Sequence, residues 1–116
     1  MRCGIDSIEI DRIAKSIRNP LFLERYFSVE ERQLFESRGN KPSVIAGNFA
    51  AKEAFSKALG SGIRGFSLAE VSVLRDSLGA PYFIFTGEAK KRANSLTFSV
   101  SITNTKTVAT AMVIAY

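Results

Sequence analysis

Apolar positions change their period several times along the chain. The stretch "CGIDSIEI" spaces β-branched residues at Ile5, Ile8 and Ile10 and predicts a first strand. Cys3, at its start, reads as a small core residue. In "DRIAKSIRN", Ile10, Ile13, Ala14 and Ile17 fall at helical spacing with Asp11 as N-cap, while Arg12, Lys15 and Arg18 lie off the apolar stripe. "SVEERQLFESRG" opens on Ser28 and Glu31 at capping-box spacing and stops at Gly39. A long helix is predicted from Pro42, a favoured first-turn residue, to Leu59 before Gly60. Two strands follow, "EVSVLRD" and "PYFIF", joined by a turn around "SLGA". A short helix, "GEAKKRANS", precedes a last hairpin of "LTFSVSIT" and "TVATAMVIAY". There Phe98, Val100 and Ile102 alternate with Thr97, Ser99, Ser101 and Thr103, the pattern of a half-buried strand. Helices and strands are largely segregated, so the predicted class is α+β: one small domain, residues 1–116, with an antiparallel sheet, one long helix and several short ones.

The long helix carries charges in an apolar setting. At about 100° per residue, Val44, Ile45, Phe49, Phe55 and Leu59 gather on one arc, which Ala51, Ala54 and Ala58 widen. Glu53 and Lys57 share a face at its margin, where the simplest reading is an exposed i,i+4 pair. Lys52 projects into the middle of the arc and must either extend outward or meet an anion. "GSGIRG" just beyond has three glycines; it reads as a helix C-cap or as a turn that lets backbone approach a phosphate. Asp6 interrupts the first strand, and Glu9, three residues on, points to the opposite face. Asp6 and Glu53 are candidates to hold Mg²⁺ jointly, since that ion takes one or two carboxylates and completes its shell with water and phosphate.

Composition narrows the chemistry. There is no histidine and one cysteine, which excludes Ser-His-Asp and Cys-His mechanisms and zinc sites of His or four Cys. Any metal must therefore be held by oxygen. A single cysteine forms no internal disulfide and fits a reducing cytoplasm. The N-terminal segment lacks the apolar run of a signal peptide, and no stretch approaches the roughly 18 apolar residues of a membrane span. A net charge of +5 calls for an anionic partner: nucleic acid, a phosphate-rich small molecule or an acidic protein. Nucleic acid is set aside, because the chain has no zinc finger, no recognition helix and no aromatic pattern of an RNA-binding sheet.

The blocks "GIDSIEIDRI", "FAAKEAFSKALGSGI", "LGAPYF" and "SVSITNTKTVATAMVI", in this order and spacing, resemble the holo-acyl-carrier-protein synthase family over essentially the whole chain. These are the small bacterial 4′-phosphopantetheinyl transferases of fatty acid biosynthesis. The resemblance implies Mg²⁺-dependent attack by a serine hydroxyl of an apo acyl carrier protein on the pyrophosphate of coenzyme A, releasing 3′,5′-ADP. It implies Asp6 and Glu53 as metal ligands and Lys57 as a phosphate contact or proton-transfer group. Coenzyme A would be bordered by Asn48, Lys52, Lys57, the turn of Gly60, Ser61 and Gly62, and Asn104. Arg12, Lys15, Arg18 and Arg25 would dock the acidic carrier, and the assembly would be a homotrimer with active sites between subunits. Many members carry Arg in place of Asn48 and His in place of Asn104, both tied to the phosphate region; Lys41, Arg64 and Lys106 are candidates to restore the charge. The alternative reading is a non-catalytic module that keeps the fold and binds coenzyme A or an acidic protein.

Overall fold

The computed structural model describes residues 1–116. In chain order the elements are β1 (Arg2–Glu9), α1 (Ile10–Ser16), α2 (Pro20–Tyr26), α3 (Val29–Ser37), α4 (Pro42–Leu59), a 3₁₀ turn (Leu68–Glu70), β2 (Val71–Arg75), β3 (Pro81–Phe85), α5 (Gly87–Ala93), β4 (Phe98–Asn104) and β5 (Val108–Ala115). The class is α+β. One antiparallel sheet has the order β1-β5-β4, and β2 and β3 form a separate hairpin.

Both the three-stranded sheet and β2 of the hairpin pack on α4. Its buried positions run almost all the way round, from Ile45 and Ala46 through Ala50, Ala54 and Phe55 to Ala58. Phe55 gathers Phe66, Phe83, Phe85 and Phe98 on one side. Phe49 meets Phe22, Tyr26 and Phe27 on another. The third side lies against the three-stranded sheet, whose inner face on β5 is Ala109, Ala111, Val113 and Ala115. Small residues there let helix and sheet approach closely.

Gly4 sets how close. A Cβ at Gly4 would overlap the Ala54 carbonyl oxygen and lie 2.7 Å from the Ala58 amide nitrogen, both backbone atoms. Gly4→Ala must therefore push β1 off α4. The expected loss is about 3 kcal/mol, at the upper end for overpacking, read as a lower denaturation midpoint in urea. A midpoint equal to the parent's would contradict this account of the helix–sheet contact.

Three sequence expectations are corrected here. Cys3 is exposed, because the buried parity of β1 runs through Gly4 and Ile8, leaving Cys3 and Ile5 on the outer face. Asp11 lies in the first turn of α1, with Glu9 in the N-cap position and no side-chain cap bond. That helix ends at Ser16, so Arg18 sits beyond it in the connection to α2. The helix α2 lies outside the predicted elements; Pro20 starts it, and Asn19 Oδ1 accepts from the Leu21 amide at 3.0 Å.

Candidate active site

The close β1–α4 contact places Asp6, the residue between buried Gly4 and Ile8, beside the C-terminal half of α4. Lys57 Nζ donates to Asp6 Oδ1 at 3.1 Å and to the Ile5 carbonyl at 2.9 Å. Lys57 thus pairs with Asp6 and not, as its i,i+4 spacing suggests, with Glu53. An ammonium has three donors, so one N–H of Lys57 stays free. Glu53 is half-buried and forms no ion pair. Burial pushes its carboxyl above the usual glutamate range, and the negative charge of Asp6 pushes the same way; Lys57 and Arg12 oppose them.

Two carboxylates that repel each other, one without an ion-pair partner, are a donor set that a cation stabilises. Both offer hard oxygens, and no third acid, histidine or cysteine joins them to close a cage. That set fits Mg²⁺, which keeps positions for water and phosphate oxygen. It fits neither zinc nor a closed calcium site.

A cleft of about 330 Å³ opens beside Glu53, lined also by Arg25, Tyr26, Phe49, Ile63 and Phe66. The glycine-rich turn leads into it. Gly60 takes the left-handed conformation (φ 81°) that ends α4, and its amide donates to the Lys57 carbonyl. The Gly62 amide donates back to Ser56. The two glycine amides are thereby used in capping the helix, and the side chains of Ile63 and Phe66 reach the cleft. Ser61 is exposed and accepts from Arg92 at 3.4 Å.

Lys52 and Asn48 are corrections: both are fully buried and bonded within the chain. Lys52 Nζ donates to Glu31 Oε1 and to the carbonyls of Tyr26 (2.7 Å) and Leu68 (2.9 Å), and it lies over the Phe27 ring. Burial pulls its ammonium down to about 8, with Glu31 opposing, so it is charged at neutral pH with all three donors taken. Burial likewise raises Glu31. Asn48 Nδ2 donates to Glu31 Oε2 at 3.0 Å and to the Val73 carbonyl at 2.9 Å, while its Oδ1 accepts from Arg75 Nη2 at 2.8 Å. Neither side chain has a free group to offer a cofactor. The sequence marks Glu31 only as a capping-box acid, a role it also fills through the Ser28 amide. Arg75 ends β2, and only its place before the turn could have drawn notice.

Asn104 lies apart from Asp6 and Glu53. It is exposed at the end of β4, donates to the Thr105 carbonyl at 3.0 Å, and lines a second cleft with Arg38 and Arg75. Of the predicted docking cations, Lys15 and Arg25 flank a third cleft between α1 and α2 with Leu21, Phe22 and Tyr26. Arg12 sits near enough to Glu53 to act on its charge, and Arg18 is exposed. No helix is long and apolar enough to cross a membrane.

Residues 2–112 match the model of the 4′-phosphopantetheinyl transferase superfamily, and the chain belongs to that superfamily. A holo-[acyl-carrier-protein] synthase of Alkaliphilus oremlandii is 46% identical over 116 residues, covering 97% of this chain and 95% of the relative. The Helicobacter pylori holo-[acyl-carrier-protein] synthase in complex with coenzyme A superposes with a TM-score of 0.86 at 35% identity, over 98% of this chain and 99% of that one. The Bacillus anthracis enzyme in complex with CoA (3′,5′-ADP) gives 0.81 at 34%, over 98% and 94%. Within the superfamily the chain takes its place among the holo-[acyl-carrier-protein] synthases, which are 4′-phosphopantetheinyl transferases.

Proposed function

We propose that this chain moves the 4′-phosphopantetheine group of coenzyme A onto a serine of an apo acyl carrier protein, in the cytoplasm and in the service of fatty acid biosynthesis. The observation that carries the reading is the convergence of Asp6, Glu53 and Lys57 where β1 crosses α4. Asp6 and Glu53 hold Mg²⁺, which when bound supplies charge neutralisation to the pyrophosphate oxygens. Lys57 directs its remaining N–H at a phosphate oxygen, kept in place by its bonds to Asp6 and Ile5. The serine oxygen forms a bond to the phosphorus bearing pantetheine. The P–O bond to the nucleotide breaks, 3′,5′-ADP leaves with the electron pair, and the serine proton is released to solvent. Such a transfer asks for positioning and charge, and a histidine-free chain can supply both.

Arg12, Lys15, Arg18 and Arg25 receive the acidic carrier; the apolar floor between α1 and α2 favours this over a purely solvated face. The outer face of the sheet, with Ile5 60% and Met112 43% exposed, is the surface for self-association into a trimer. Asn104 and Glu53 sit at different clefts of one chain, which favours a site completed by a second copy.

The test is the intact mass of an apo carrier protein incubated with this chain, coenzyme A and Mg²⁺. The expected result is a gain of one phosphopantetheine, abolished by a chelator. No gain, from folded protein and a carrier that a known transferase modifies, would turn the reading to a binding module.

A further inference from the structure

We propose that Lys52 is a positioning residue for the transfer: its ammonium ties together the two banks of the cleft beside Glu53 and so fixes the shape in which the reacting groups are held. This rests on the functional reading above, in which that cleft is where transfer takes place. The cleft draws its lining from three elements. Phe49 and Glu53, one turn apart, come from α4; Arg25 and Tyr26 end α2; Ser67 and Leu68 enter the 3₁₀ turn. No backbone hydrogen bond joins α2 to that turn. Lys52 links them, because its Nζ donates to the Tyr26 carbonyl on one bank at 2.7 Å and to the Leu68 carbonyl on the other at 2.9 Å. Its third N–H goes to Glu31 on α3. One buried atom is thus a three-way junction, on the residue just before Glu53.

Filling space does not call for a lysine here. Buried ion pairs are often replaced by apolar side chains of similar volume at little or no cost, and methionine has nearly the length of lysine. An apolar chain lacks donors. The Tyr26 carbonyl closes α2, so no later amide of that helix reaches it. The Leu68 carbonyl accepts from the Val71 amide and takes the lysine on its second lone pair. The Tyr26 ring packs against Phe22 and Phe49, with centroids 5.1 and 6.0 Å away, so a shift of its backbone carries the ring along. Arg25 and Tyr26 also line the cleft between α1 and α2. Lys52 therefore fixes the wall that the two clefts share. It makes no bond to Glu53 or Asp6, so the frame of the metal site stands without it.

That separation can be measured. Lys52→Met/Glu31→Gln removes the junction and leaves no buried charge, while Glu31→Gln alone keeps both carbonyl bonds. Rates of carrier-protein mass gain are taken per folded molecule, with the folded fraction from a thermal melt, across a series of Mg²⁺ concentrations. The double variant is expected to lose roughly ten- to a hundredfold in kcat, the cost of misplacing a reacting group by about an ångström. Its half-activating Mg²⁺ concentration should match the parent's, and Glu31→Gln alone should stay close to the parent in kcat.

A merely structural lysine would lower the Tm and leave kcat per folded molecule untouched, which would overturn the proposal. An equal loss in Glu31→Gln would overturn it too, assigning the effect to charge, as would a shifted Mg²⁺ response, which places the damage at the metal. If the double variant does not fold, native-state hydrogen exchange of the parent decides. The amides of Phe27 and Glu70, one on each bank, are bonded within their own segments. Tied by Lys52, they should open as one unit, with equal protection and equal dependence on urea; unequal opening would show that the banks move independently. A parent that transfers nothing would refute the transferase, while the exchange result would still test the tie.

Discussion

Glu53→Gln and Asp6→Asn should each lower carrier-protein modification by roughly 10²- to 10⁴-fold, the equivalent of the several kcal/mol a bound metal contributes to charge stabilisation. Both exchanges keep the shape and remove one negative charge. Their effects on stability should part company. Glu53 is half-buried beside Asp6 and has no ion pair, so its charge is a burden on the folded chain. Removing that charge should leave the Tm unchanged or raise it. Asp6 holds Lys57, so Asp6→Asn should lower the Tm slightly; the pair is largely solvated, with the lysine side chain 54% exposed. The check is a rate of mass gain alongside a thermal melt for each variant. Near-normal rates in either would remove that residue from the metal site.

Lys52→Met is expected to cost about 3–5 kcal/mol, the penalty for stranding a buried partner charge. That is a large share of the roughly 5–15 kcal/mol available to a domain. Glu31 would remain fully buried with only Asn48 and the Ser28 cap for company. Adding Glu31→Gln should recover part of the loss, because no charge is left unpaired and the amide oxygen still caps Ser28, while its N–H₂ now faces the donor Asn48 Nδ2. Urea denaturation of the parent, both single variants and the double variant gives the coupling energy directly. A Lys52→Met protein with the parent's midpoint and weakened coenzyme A binding would return the lysine to the cofactor site.

Lys52 also marks where sequence reasoning stops. Its place on the large-residue arc of α4 predicted that an anion or the solvent must receive it, and an anion does. Helix periodicity says which way a side chain points but not what stands opposite, and Glu31 lies 21 residues away. The boundaries of α4 were legible because Pro42 and Gly60 act locally, and so was the Ser28–Glu31 capping box. The parity of β1 was not. Its inward positions are Gly4, Asp6 and Ile8, two of them without hydrophobic weight, so the apolar Cys3 and Ile5 misled the eye. The acids of the candidate site were legible as anomalies, Asp6 in an isoleucine-rich strand and Glu53 on an apolar helix, and the resemblance in short motifs joined them. Arg75 was not, since only a fold brings the end of β2 to Asn48, 27 residues away.

The sheet order has a consequence for how the chain is made. β5 follows the other strands of the domain in sequence and yet is the central one, paired to β1 on one edge and β4 on the other. A ribosome-bound chain that has not released residues 108–115 has no partner for either edge strand. Asp6 sits opposite Ala111 in that register. The sheet around one candidate metal ligand is therefore completed only when β5 is available, through a pairing that spans 105 positions of sequence. Long-range closure of this kind slows folding, and it ties the completed sheet beside the site to the synthesis of residues 108–115.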